Sequence, residues 1–293
     1  MPHAVTVGLD GSRESAAAVD WAAREALLRG ARLDIVQVRD TGPYPYSPIL
    51  DDQVERDWGE QTTREAEAAL ARRYPALETT AQLYSGRPSK VLDTLSESSE
   101  LLVLGSRGVG PVTGFVVGSV GLPAVAHAHC PVILVRNRPV REDESGDGEP
   151  PRGDVVIGLK TLDPPEEPLG FAFETAARWD CRLIAVHGWE LPPSYGLRPI
   201  PVEPGLTEEL TREKSEALRT FLLPWQAKYP SVRTEARTDC DWPARQLLLA
   251  STGAGLVVVG RRARSARVGT HLGSVAHAVL HHAAMPVAVV PHV

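Results

Sequence analysis

Two glycine-bearing segments hold the residues best suited to chemistry. The first, Gly8-Leu9-Asp10-Gly11-Ser12, sets a carboxylate between glycines at the end of an apolar run. The second, Gly105-Ser106-Arg107-Gly108-Val109-Gly110, follows another apolar run, and ten residues beyond Gly108 comes Gly118-Ser119-Val120. Glycine lets a ligand approach the backbone closely and permits positive φ, and N–H groups at a helix start attract phosphate. Ser119 would add a hydroxyl donor. Asp10 would repel phosphate, but it could accept hydrogen bonds from ribose hydroxyls or an adenine amine. Taken alone, Gly8 or Gly105 is better explained as part of a tight strand-to-helix turn, which any α/β protein needs.

The segments fall between predicted strands and helices. Residues 5–9 form a short apolar strand, and Ser12 caps a helix whose apolar positions Val19, Ala22, Ala23, Ala26 and Leu27 keep helical spacing until Gly30. Residues 33–38 are a second strand. A charged helix is predicted over about residues 50–74, a strand near 78–84 and a helix near 88–96. Residues 101–104 are a fourth strand, 116–129 a helix, and 132–136 a fifth strand. Strands alternating with helices imply a parallel sheet covered on both faces, so the fold class is α/β. A ligand is then expected beyond the carboxyl ends of the strands, where strand order switches.

The chain repeats itself. Val5-Thr-Val-Gly-Leu9 corresponds to Val155-Val-Ile-Gly-Leu159, an offset of 150, and Arg32-Leu33 recurs as Arg182-Leu183. Leu102-Val-Leu-Gly105 recurs as Val257-Val-Val-Gly260, Gly118-Ser-Val120 as Gly273-Ser-Val275, and Cys130-Pro-Val132 as Met285-Pro-Val287, all at offset 155. The expected organisation is a first domain over 1–138, an acidic Gly- and Pro-rich linker over 139–153 and a second domain over 154–293.

Composition narrows the function classes. The 293 residues are 43% apolar and 23% charged, the profile of a folded soluble protein. A net charge of −6 argues against nonspecific binding to nucleic acid or to an anionic membrane. The three cysteines, Cys130, Cys181 and Cys240, are odd in number and far apart, which points to a reducing compartment and a cytoplasmic protein. No run approaches the roughly 20 apolar residues of a membrane-spanning helix. The Walker A string, the Rossmann Gly-x-Gly-x-x-Gly after the first strand and the Gly-x-Ser-x-Gly elbow are all missing. His277 and His281 stand four apart on a predicted helix, but no carboxylate joins them at zinc-site spacing, so no metal site is assigned. Trp21, Trp179 and Trp225 read as packing anchors.

The joint pattern of Gly105, Gly108 and Gly118-Ser119, with the Gly-Leu-Asp-Gly-Ser start and the Cys-Pro-Val end, resembles the nucleotide motif of the universal stress protein family. The likeness covers both copies, so the chain resembles a tandem universal stress protein of the kind common in actinobacteria. The resemblance implies two five-stranded, adenine nucleotide alpha hydrolase-like sandwiches with strand order 3-2-1-4-5. It also implies an ATP site, with Mg²⁺ arriving on the phosphates. There Gly8 and Asp10 lie by the adenosine and the Val38 backbone meets adenine. Gly105, Ser106, Arg107, Gly108, Val109 and Gly110 wrap ribose and phosphates, and Gly118, Ser119 and Val120 hold the phosphate chain. Pairing of fifth strands, residues 132–136 with 287–290, and a homodimer are further implications.

The second copy departs from the motif at the site itself. Lys160, Thr161 and Leu162 replace Asp10, Gly11 and Ser12, Gly188 replaces Val38, and Ala263 replaces the second motif glycine. Gly158, Gly260, Gly273, Ser274 and Val275 remain, so a weaker or altered second site is expected. Arg261, Arg262, Arg264 and Arg267 read as a solvated basic loop ahead of a site for a phosphate-rich ligand or an acidic partner. The leading function is an ATP-binding regulator in stress or dormancy with no evident catalytic machinery. The alternatives are slow ATP hydrolysis or autophosphorylation, with Thr113 or Ser119 as acceptor, and a nucleotide-independent dimeric scaffold.

Overall fold

The structure, a computed structural model, describes residues 4–41, 52–106, 118–136, 153–160, 164–191, 205–263 and 272–293. The chain divides into two compact units. The first contains β1 (Ala4–Gly8), α1 (Arg13–Arg29), β2 (Arg32–Arg39), α2 (Asp52–Arg73), β3 (Thr79–Ser85), α3 (Pro88–Ser96), β4 (Leu101–Ser106), α4 (Gly121–His127) and β5 (Val132–Arg136). The second contains β6 (Val155–Gly158), α5 (Glu166–Trp179), β7 (Leu183–Trp189), α6 (Leu206–Lys228), β8 (Thr234–Cys240), α7 (Pro243–Ala250), β9 (Leu256–Arg262), α8 (Ser274–His282) and β10 (Val287–His292).

Within the first unit the strands run in the order β3-β2-β1-β4-β5, and within the second β8-β7-β6-β9-β10, every pair parallel. This is the expected 3-2-1-4-5 order. The repeat extends to register: Val5 pairs with Leu33 as Val155 pairs with Leu183, and Leu102 pairs with Val132 as Val257 does with Val287. The chain crosses from β3 back over β1 to reach β4, so strand order reverses between β1 and β4. Gly8 ends β1 and Gly105 stands one residue before the end of β4, and Gly158 and Gly260 hold the matching positions on β6 and β9.

Strands buried on both faces explain the short unbroken apolar runs. Val5, Val7, Leu33, Ile35 and Leu101 to Val103 are fully buried, as are Val155 to Ile157 and Leu256 to Val258. The helix α1 meets its sheet through Ala18, Ala22, Ala23 and Ala26, all without exposed surface, and these small side chains allow the helix to lie close. In the second unit α5 fills that space with Leu169, Ala172 and Phe173, and Phe173 stacks on Trp225 of α6 at 5.6 Å between centroids. Trp21, 9% exposed, and Trp225 are thus both packing residues.

The helix ends also differ between copies. The hydroxyl of Ser12 accepts from Ser15 N at 3.1 Å and caps α1, which stops at Gly30 with φ 61°. In contrast, α5 begins after Pro165 without a side-chain cap and ends at Asp180, which takes φ 50° without being glycine. One expected boundary is corrected: α4 starts at Gly121 rather than 116, because residues 118–120 form a turn. Pro123 fits the observed start, since its missing N–H falls in the first helical turn, where no intrahelical partner exists. Residues 116 and 117 lie outside the described residues.

Candidate functional site

Packing alone fixes two of the first unit's glycines. A Cβ on Gly8 would stand 2.7 Å from the Leu104 side chain, and one on Gly105 would stand 2.6 Å from the Glu14 carbonyl carbon and 2.7 Å from Ser15 N. Gly105 therefore lets the start of α1 press against β4. Gly11 has φ +76°, and a Cβ there would meet the Trp58 indole at 3.0 Å, so Trp58 of α2, 54% exposed, lies over the turn. Gly118 is different: its φ is not positive, and a Cβ would meet nothing within 4 Å among the described residues. Among the described residues that leaves the Gly118 backbone open to close approach.

The turn between Gly8 and α1 is held by its own side chains. The carboxylate Oδ1 of Asp10 accepts from Ser12 N at 3.0 Å and from Ser12 Oγ at 2.5 Å. Ser15 Oγ donates to the Ser12 carbonyl at 2.9 Å and accepts from Asp10 N at 3.3 Å. Asp10 thereby performs the local turn-forming role common to aspartate while remaining exposed.

These residues border a cavity of about 130 Å³ at the β1–β4 switch. Of the predicted positions, Gly8, Asp10, Val38, Gly105 and Val120 line it, and Gly118 and Ser119 lie in the turn leading to Val120 without forming its wall. Ser106 does not line the cavity: it is 2% exposed at the end of β4. Arg107, Gly108, Val109 and Gly110 lie outside the described residues, as does Thr113. The walls also include Ser12, Ser15, Pro88 and Leu92. Motif spacing does not single out Ser15, although its place three residues after the cap marks it as the residue that folds back over the turn.

The second unit surrounds a cavity of about 300 Å³ with the same positions. Gly158, Gly260, Gly273, Ser274 and Val275, all predicted, line it. Val36, Pro88, Leu92, Leu104 and Val120 of the first cavity recur as Val186, Pro243, Leu247, Val259 and Val275. The polar wall differs. Lys160 replaces Asp10, Pro165 replaces Ser15, and His292 of β10 also lines the cavity, its counterpart Asn137 lying outside the described residues. The position of Ser12 is taken by Leu162, outside the described residues. Gly188, where the first unit has Val38, lets Pro243 come close: a Cβ would meet Pro243 Cα at 2.6 Å. Gly273, like Gly118, has open space at its Cβ among the described residues.

The basic loop expectation needs correction at Arg261. This residue is only 8% exposed, because β9 continues through Arg262 instead of ending at the glycine, and only Arg262 of the described pair is exposed. Arg264 and Arg267 lie outside the described residues. Burial also acts on Arg136 at the end of β5, lowering its guanidinium to about 10. The rings of His277 and His281 sit 4.4 Å apart, and among the described residues no three His, Cys, Asp or Glu side chains gather as a metal site. Cys130, Cys181 and Cys240 are free thiols, and burial pushes Cys181 up to about 11. Among the described residues no helix is long and apolar enough to cross a membrane.

The universal stress protein family matches residues 1–136 and again residues 152–291. A universal stress protein of Mycobacterium tuberculosis is 33% identical over 295 residues, spanning 98% of this chain and 96% of that protein. The crystal structure of a universal stress protein from Archaeoglobus fulgidus covers 98% of both chains with a TM-score of 0.68 at 16% identity, a likeness of fold. A solved universal stress protein in complex with cAMP is 28% identical, covers 46% of this chain and has a TM-score of 0.35. Its ligand is a property of that protein.

Proposed function

Since the chain belongs to the universal stress protein family and carries the family unit twice, we propose that its first unit binds ATP and that the protein is a nucleotide-dependent regulator. The observation that carries this reading is the convergence of Gly8, Asp10, Val38, Gly105 and Val120 on one cavity at the switch in strand order. Such a crevice is where open α/β sheets bind ligands. In this reading Asp10 faces the ribose, the Val38 backbone faces adenine, and the phosphates run toward Gly118 and Ser119. The donor set fits the molecule: an exposed carboxylate suits hydroxyl groups, and Gly118 leaves room for an anion to approach backbone. Mg²⁺ would arrive on the phosphates, with no side chain of the described cavity wall assigned to it.

Nucleotide binding would act by favouring one conformation or partner state over another, which requires only that ATP bind those states unequally. The reading includes a cytoplasmic homodimer, a nucleotide domain over 1–138, a linker over 139–153 and an altered domain over 154–293. The test uses protein purified without added nucleotide, denatured and centrifuged, with the supernatant analysed by chromatography. The expected result is an adenine nucleotide at up to one per chain, with added ATP binding after its removal. A protein that carries no adenine absorbance and gives no heat with ATP would overturn the proposal.

A further inference from the structure

We propose that the cavity of the second unit takes an apolar molecule bearing a carboxylate, rather than an adenine nucleotide. The inference does not depend on ATP binding in the first unit. Its walls are Leu159, Pro164, Pro168, Pro243, Leu247 and Val259, apolar residues from three elements and the segment after β6. The side chains that could answer ribose hydroxyls in the first unit have been replaced. Lys160 stands where Asp10 does, and Pro165, with neither hydroxyl nor N–H, stands where Ser15 does. No carboxylate lines the cavity among the described residues.

What remains polar suits an anion. Lys160 is the one lysine or arginine among the described lining residues, and it is joined by Ser274, His292 and the first turn of α8. That helix has nine residues and no side-chain cap, and Ser274, Val275 and Ala276, whose N–H groups have no partner inside it, all border the cavity. One ammonium and a few N–H groups suit a carboxylate. The cavity, at about 300 Å³, is larger than the roughly 130 Å³ of the first unit and has room for an apolar body beside an anionic group. Apolar walls with a few convergent polar groups are the usual build of such sites.

The test is calorimetry on the full chain with decanoate and 4-phenylbutyrate as probes, decanol as the neutral counterpart, and each titration repeated in saturating ATP. One carboxylate per chain should bind, with ATP leaving its affinity within twofold and decanol at least tenfold weaker. Lys160→Glu should weaken carboxylate binding at least tenfold with an unchanged melting temperature, since Lys160 is exposed, while Lys160→Arg should retain it. Failure of both carboxylates to bind, equal binding of decanol, insensitivity to Lys160→Glu or displacement by ATP would each overturn the proposal. The first unit's nucleotide reading has its own signal in the same experiment, the heat of ATP binding, so the two failures are distinguishable.

Discussion

At the end of β1, Gly8 leads to Asp10 and to a serine that caps α1; at the end of β6, Gly158 leads to Lys160 and a helix that starts after Pro165 without a cap. The glycines at the strand ends of both copies answer to packing, whereas Gly118 and Gly273 have open space at their Cβ among the described residues. A Cβ would come within 2.7 Å of Leu104 at Gly8, within 2.5 Å of Leu247 at Gly158 and within 2.6 Å of the Glu14 backbone at Gly105. Steric demand of this kind keeps a glycine whether or not a ligand is present. Around the cavities the copies diverge: carboxylate and hydroxyl in one, ammonium and proline in the other. The strand-end glycines therefore report the fold, and the differences between the two polar walls point to different ligands.

The largest expected effect comes from giving the first unit the second unit's charge. Asp10→Lys should weaken ATP binding by roughly 10- to 100-fold, the scale of a lost charge-assisted hydrogen bond of about 1.5–3 kcal/mol, as read by calorimetry. A change within twofold would place the discriminating residue elsewhere. Next come the matched glycines. Gly105→Ala drives a methyl into the α1 backbone and should cost about 1–3 kcal/mol, lowering the melting temperature. Gly260→Ala first meets the His292 and Pro168 side chains, at 3.1 and 3.2 Å, and should cost clearly less. Equal losses would show that the two glycines do not differ in their packing.

Ser12→Ala removes a cap that α5 lacks and should destabilise by about 1 kcal/mol in denaturant titration. The smallest effect concerns Cys181, which has Ala31 at the matching place of the first unit. Its thiol is raised from 9.0 to about 11 by burial, so at pH 8 roughly 100-fold less thiolate is present than at an ordinary cysteine. Its alkylation by iodoacetamide should be slow at pH 8 and accelerate toward pH 11. The folded state holds this proton more tightly than the unfolded one, so the associated stability is present below pH 9.0 and is lost between pH 9.0 and about 11.

Much of this was legible in the residues themselves. Unbroken apolar runs mark the inner strands because those strands are covered on both faces, and the matched landmarks of the two copies keep their register in the sheets. The steric reason for Gly105 was hidden, since its neighbour Glu14 lies far away in sequence and spacing cannot show that contact. Ser15 and Pro165 escaped for a related reason: each enters the cavity wall only because a helix start folds back over the strand end. Arg261 looks like part of a charged loop, but the strand runs on and buries it.

The central claim, that one fold holds two unlike sites, is tested most directly by counting ATP per chain in calorimetry of the full-length protein, wild type and the two single-site variants. The account predicts one site, abolished or strongly weakened by Asp10→Lys and unchanged by Lys160→Glu. Two equal sites, or a single site that survives Asp10→Lys and is lost in Lys160→Glu, would contradict it.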